Sequence, residues 1–329
     1  HYAAGRADVA HVRARKFIMT GQGTALHAGM IGEYLFEDLA KIPTEVEYAS
    51  EFRYRNPIVE EGTVVCAISQ SGETADTLAA LEEAKDKGAL ALGVVNSVGS
   101  SISRQTDAGV YLRVGPEIGV ASTKAFTGQV AVLTMMALFL GRRRLTSVEK
   151  TKHMIAELES IPDKMEIVLE QADQIRAVTE KHVHRENWLF MGRGYNYPTA
   201  LEGALKLKEI SYIHAEGMPA AEMKHGPIAL INEGMPAVFI ANRGAQYTKV
   251  LANIEEVRAR GGHIIAVATE GDKEIQQVAH DILWVPEVAE PLSPLLTVVP
   301  LQLMAYYAAV LRGHDVDKPR NLAKSVTVE

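Results

Sequence analysis

The residues Ser69-Gln70-Ser71-Gly72-Glu73-Thr74 carry the strongest chemical signal in the chain. They follow the apolar run Val64 to Ile68 and open the helical period that begins at Ala75. A helix start offers free N–H groups and the positive end of the backbone dipole, so it favours an anion. Ser69, Ser71 and Thr74 add hydroxyl donors. The group reads as a phosphate loop that needs few basic residues. Ordinary Ser/Thr capping is the competing explanation, but three hydroxyls and a glycine in six positions exceed what a cap needs. The pairs Gly21-Gln22-Gly23 and Gly192-Arg193-Gly194 invite a dinucleotide reading, yet neither reaches the third glycine of that fingerprint. Tight strand-to-helix turns explain them.

A second constellation lies at Glu202, Lys206 and Glu209. Their i, i+4, i+7 spacing places all three on one helical stripe, flanked by Leu and Ala. For an arbitrary helix the preferred reading is a solvated, salt-bridged face. A partly buried stripe would instead set a carboxylate beside an ammonium, as a proton-transferring base requires. His225 precedes Gly226-Pro227, which force a loop, and a loop histidine can serve as acid or base. Lys324 lies in an aperiodic C-terminal stretch where a lysine is usually solvated. Under a folded tail it would instead suit Schiff-base formation with a ketose carbonyl. Ser122 and Thr123 precede a long apolar helix and fit either capping or contact with a sugar.

The elements that must hold these residues alternate. Lys16–Thr20, Thr44–Tyr48, Val64–Ile68, Leu90–Val95 and Val110–Val114 read as strands, with helices predicted over Ala25–Leu39 and Ala75–Lys87. That rhythm predicts a doubly wound α/β domain. A shift of 171 positions takes Gly21 to Gly192, Glu51 to Glu222 and Ser69 to Ile240, so the plan recurs. The expected organisation is α/β, two tandem doubly wound parallel-sheet domains over 1–145 and 182–313. A helical connector spans 146–181, and a C-terminal tail over the active site spans 314–329.

Net charge is −7, which disfavours general nucleic-acid binding. The single cysteine, Cys66, sits in an apolar run, and no Cys/His zinc spacing is present. A reducing, cytoplasmic setting is expected, with no apolar run long enough to span a membrane. The first residue is His1, which suggests a fragment.

Taken with Glu117–Thr127, Ala200–Glu216, Lys224-His225-Gly226-Pro227 and the tail Lys318–Glu329, the serine-rich loop resembles the glucosamine-6-phosphate synthase family, the glutamine–fructose-6-phosphate aminotransferases. The resemblance covers that family's two sugar-isomerase (SIS) domains, of flavodoxin-like plan, and its tail. It implies that Ser69, Gln70, Ser71 and Thr74, with Gly23 and Thr24, bind a sugar phosphate. It also implies that Val120, Ser122 and Ala323 contact the substrate. Glu209 would carry a proton between C1 and C2, assisted by Lys206. His225 of a neighbouring subunit would open the sugar ring, and Lys324 would form the Schiff base. The implied ligands are fructose 6-phosphate, glucose 6-phosphate and glucosamine 6-phosphate, with no metal or nicotinamide cofactor, in a homodimer.

Two departures stand out. The family's first loop usually reads Cys-Gly-Thr-Ser, whereas this chain has Gln22-Gly23-Thr24-Ala25. Ala25 lacks a hydroxyl, a loss worth about 0.5–1.5 kcal/mol. The glutaminase domain with its N-terminal cysteine is absent from this chain. The alternatives are a stand-alone SIS isomerase or deaminase, and a non-catalytic sugar-phosphate sensor. A sensor would need the phosphate loop but not Glu209, His225 and Lys324.

Overall fold

The structure, a computed structural model, describes residues 2–3 and 14–327. The chain divides into two compact units: residues 1–153 with 323–329, and residues 154–322. Val328 and Glu329, at the end of the expected tail, lie outside the described residues.

In the first unit, β1 (Tyr2–Ala3) precedes β2 (Lys16–Gly21), α1 (Thr24–Leu35), β3 (Thr44–Tyr48) and α2 (Ala49–Phe52). There follow β4 (Thr63–Ser69), α3 (Ala75–Asp86), β5 (Leu90–Val95), α4 (Ser101–Gln105), β6 (Ala108–Tyr111) and α5 (Lys124–Arg142). The sheet order is β1-β6-β5-β4-β2-β3. All pairings are parallel except that of β1, a two-residue antiparallel edge. Every residue of β4 is buried, as a strand covered on both faces must be.

The chain continues through α6 (Val148–Glu159), α7 (Ile161–Leu169) and α8 (Ala172–His182). The second sheet then begins with β7 (Asn187–Gly192), α9 (Asn196–Ser211) and β8 (His214–Pro219). It is completed by β9 (Pro236–Ala241), α10 (Tyr247–Arg258), β10 (His263–Thr269), α11 (Ile275–Val278), β11 (Asp281–Val285) and α12 (Ser293–Leu311). Its order is β11-β10-β9-β7-β8, all parallel. Both sheets therefore follow the flavodoxin-like order, and the 171-residue shift carries β2 onto β7.

The repeat extends to packing. A Cβ at Gly32 would lie 2.6 Å from Met19 Sδ and 3.1 Å from Leu133 Cδ1. At Gly203, one shift later, it would lie 2.7 Å from Leu301 Cδ1 and 3.1 Å from Phe190 Cδ1. Each glycine lets its helix approach the first strand and the last helix of its own copy. At the β11 edge, Gln171 donates to the Trp284 carbonyl (2.8 Å) and accepts from its N–H (3.2 Å). The amide stands in for a missing strand partner.

Two helical stretches, Lys124–Arg142 and Glu290–Leu311, are long and apolar enough to cross a membrane, contrary to the reading from sequence. Burial in the fold explains their composition: α5 packs on α1, and α12 packs on α9, α8 and α7.

Candidate active site

In the first unit, strand order reverses between β2 and β4, so the crevice beyond their carboxyl ends lies between Gly21 and Ser69. Ser69 Oγ accepts from the Gly72 N–H (2.9 Å) and lies 3.2 Å from Thr74 Oγ1. Ser71 Oγ accepts from the Glu73 N–H (3.2 Å). Gly72 is required twice over: its φ is +69°, and a Cβ there would sit 2.1 Å from Ser100 Oγ. Among the described residues no side chain caps α3, so Thr74 does not act as the capping explanation requires. Gln22 reaches across the crevice, its Nε2 donating to Asp76 Oδ2 (3.2 Å), while Arg53 lies 3.5 Å from Asp76 Oδ1. The negative charge in the first turn of α3 is thus partly offset. Gly23 and Thr24 form the turn into α1, and Ala25 behind them is buried.

The end of the tail docks on this loop. The Ala75 N–H donates to the Val326 carbonyl (3.2 Å). Lys324 Nζ donates to Glu117 Oε2 (2.7 Å) and to the Gly119 carbonyl (2.8 Å). Glu117 also accepts from the Thr123 and Ala125 N–H groups (2.6 and 3.3 Å), holding the start of α5. Burial pushes the Glu117 carboxyl upward, but Lys324 and these N–H donors outweigh it and hold it below the ordinary range. Glu117 is the residue that sequence reasoning missed; the only signal was its place at the head of the matched stretch Glu117–Thr127. Val120 and Ser122 follow on the same loop, both partly buried, and Ala323 is exposed beside Lys324.

In the second unit, α9 starts with Pro198 in its first turns and buries Ala200, Ala204, Leu207 and Ile210. The charged stripe is buried with them. Glu202 is 0% exposed and Lys206 2%. Lys206 Nζ lies 2.5 Å from Glu209 Oε2 and 3.4 Å from Glu202 Oε1, and the Glu209 side chain is 21% exposed. Burial alone would lower the Lys206 pKa, yet its two carboxylate neighbours raise it, so the ammonium persists. The solvated-face reading therefore fails. His225 ends a 3₁₀ turn, Ala220–His225, exposed, and Gly226 follows at φ +137°. The structure thus assembles two constellations: Ser69, Ser71, Thr74 and Lys324 in the first unit, and Glu202, Lys206 and Glu209 in the second. His225 stands on its own turn.

The SIS domain family matches residues 12–139 and 183–312. A glutamine–fructose-6-phosphate aminotransferase (isomerizing) of Chlorobaculum tepidum is 59% identical over 317 residues, 96% of this chain and 52% of the relative. Its counterpart in Bacteroides thetaiotaomicron is 58% identical over 320 residues, 97% of this chain and 52% of the relative. The chain thus spans about half the length of the curated relatives it matches. The solved C-terminal domain of glucosamine-fructose-6-phosphate aminotransferase from Francisella tularensis superposes with a TM-score of 0.89 at 38% identity, covering 93% of this chain and 87% of that one. With two SIS domains, a flavodoxin-like order in each sheet and this match along its length, the chain belongs to the SIS family as the isomerase half of the glutamine–fructose-6-phosphate aminotransferases.

Proposed function

We propose that this chain converts fructose 6-phosphate and ammonia to glucosamine 6-phosphate and water, the isomerase step of hexosamine synthesis. The observation that carries the proposal is the tail. It seats Lys324 in the unit that holds the hydroxyl loop and anchors it there through Val326 on the first turn of α3. In this reading Ser69, Gln70, Ser71 and Thr74, with Gly23 and Thr24, hold the phosphate, while Val120, Ser122 and Ala323 line the sugar. The division is 1–145, 146–181, 182–313 and 314–329.

Lys324 must leave Glu117 and lose a proton before its nitrogen attacks the C2 carbonyl. Loss of water gives an iminium, which ammonia then displaces to free the lysine. Glu209 takes the proton from C1 and returns it to C2, leaving an aldehyde at C1 and an amine at C2. Lys206, buried between two carboxylates, holds Glu209 in place. His225 opens the sugar ring from a neighbouring subunit of a homodimer. The nitrogen source in the longer protein is a glutaminase domain outside this chain, and a cytoplasmic setting fits the buried free thiol of Cys66, pushed up to about 12 by desolvation.

The test supplies fructose 6-phosphate and ammonium to the chain and measures glucosamine 6-phosphate. No product, with fructose and glucose 6-phosphates still interconverting, would favour the stand-alone isomerase. Binding without turnover would favour the sensor. For the shared site, an inactive His225→Ala chain mixed with an inactive Glu209→Gln chain should regain activity in the heterodimer. A verified heterodimer without activity would refute that arrangement.

A further inference from the structure

Three side chains of the second unit converge outside both constellations. His182 ends α8, while His263 and Asp281 are the first residues of β10 and β11. One ligand atom from each lies within 4.8 Å of the other two. His263 Nε2 is 2.7 Å from Asp281 Oδ2, His182 Nε2 is 3.8 Å from the same oxygen, and the two imidazoles pack at 4.2 Å between centroids. We propose that His182, His263 and Asp281 form a binding site for a divalent transition metal of the zinc class, which pins the end of α8 to the amino-terminal edge of the second sheet.

A proton shared between His263 and Asp281 explains only that pair. Among the described residues it leaves His182 Nε2 buried with no hydrogen-bond partner, at a distance from the carboxylate too long for a hydrogen bond. A buried orphan nitrogen is costly and asks for a partner. A metal at the centre satisfies all three atoms at once. Two imidazoles and a carboxylate are a zinc ligand set, and water completes the tetrahedron. Bonds of about 2.0–2.2 Å put tetrahedral ligand atoms roughly 3.3–3.6 Å apart, so the present positions need side-chain shifts on the order of 1 Å.

The surroundings fit a held ligand set. Lys181 Nζ binds the other oxygen, Asp281 Oδ1 (2.5 Å), and leaves Oδ2 turned to the imidazoles. Trp188 meets the His182 ring edge-on at 6.0 Å, and His280 stacks on His263 at 4.5 Å. His280 Nδ1 accepts from the Ile264 N–H (2.9 Å), so that nitrogen is already used. The three ligands come from separate elements, and no sequence spacing announces them. Nothing in this assignment depends on the sugar-phosphate reading.

The experiment strips the whole chain with a chelator and titrates zinc against a chromophoric competitor. One equivalent should bind, and the thermal midpoint should rise with zinc and fall again with chelator. His182→Gln and Asp281→Asn should each weaken that equivalent by at least the roughly 10–100-fold that the loss of a supporting partner costs. Unchanged tight binding in His182→Gln would place the metal elsewhere and overturn the assignment, as would no tight equivalent in the unaltered chain. Should a variant fail to fold, X-ray absorption of the zinc-loaded unaltered chain decides the matter. Two imidazole nitrogens and a carboxylate support the site, and any other ligand set refutes it.

Discussion

The two copies of the fold place different chemistry on one framework. The 171-residue shift sets Glu202 over Ile31 and Lys206 over Leu35. All four are buried, but the first copy keeps the positions apolar where the second buries charge. Burying ions costs several kcal/mol each, and their pairing seldom improves on a hydrophobic pair. The charged stripe of α9 is therefore a departure that stability alone does not explain, as expected of a functional site. The crevices differ in the opposite sense. Beyond β4 stands the serine-rich turn, where the first helical N–H of α3 meets the Val326 carbonyl of the tail and not a side-chain cap. Beyond β9, Asn196 Nδ2 donates to Asn242 Oδ1 (2.7 Å) and Ser293 Oγ (3.0 Å), while Asn196 Oδ1 accepts from Thr297 (2.7 Å). In the second crevice Asn196 is thus satisfied by side chains of its own unit. Topology offers the same place twice, and the two copies fill it with different loop chemistry.

The sharpest way to break this comparison separates the two constellations by how they fail. Lys324→Ala should abolish borohydride trapping of the fructose 6-phosphate adduct and reduce product formation to background. Glu209→Gln should keep the trapped adduct, with its added mass on the peptide holding Lys324, yet lose roughly 10²–10⁴-fold in C1 proton exchange. Trapping on another lysine, or unimpaired exchange in Glu209→Gln, would undo these assignments.

Next in size is the exchange of residues between copies. Lys206→Leu alone leaves Glu202 buried without its ammonium and should destabilise the fold by about 3–5 kcal/mol. Adding Glu202→Ile, which installs the first copy's pair, should recover that stability or exceed it while activity stays lost. Denaturant unfolding measures both variants. If the double variant is as unstable as the single one, the stripe contributes to stability and the contrast with Ile31 and Leu35 loses its meaning.

Smaller effects are expected at the hydroxyl loop. Ser71→Ala with Thr74→Ala should weaken fructose 6-phosphate binding by roughly 3 kcal/mol, since bonds to a charged group are at stake. Calorimetry giving fructose and its 6-phosphate equal affinity in the unaltered chain would remove the phosphate reading. The smallest change restores the family's hydroxyl: Ala25→Ser should tighten binding by about 0.5–1.5 kcal/mol. Because Ala25 is buried, an unchanged affinity would mean that the added hydroxyl turns inward, away from the phosphate.

Much of this was legible in the sequence, because local pattern dictated it. Continuous apolar runs marked β4 and β9, turn residues marked the strand ends, and the constant shift revealed two copies. The hydroxyl loop was legible because strand, turn and helix start are neighbours along the chain. Spacing also put Glu202, Lys206 and Glu209 on one stripe. Spacing could not say whether that stripe meets water, since burial is set by what α12 and the sheet place around α9. The partner of Lys324 was equally out of reach: Glu117 lies 207 residues away, and only the return of the tail onto the first unit joins them. The convergence of His182, His263 and Asp281 has the same cause. A helix end and two strand starts meet because parallel strands bring their first residues to one edge, and that is a property of the folded sheet.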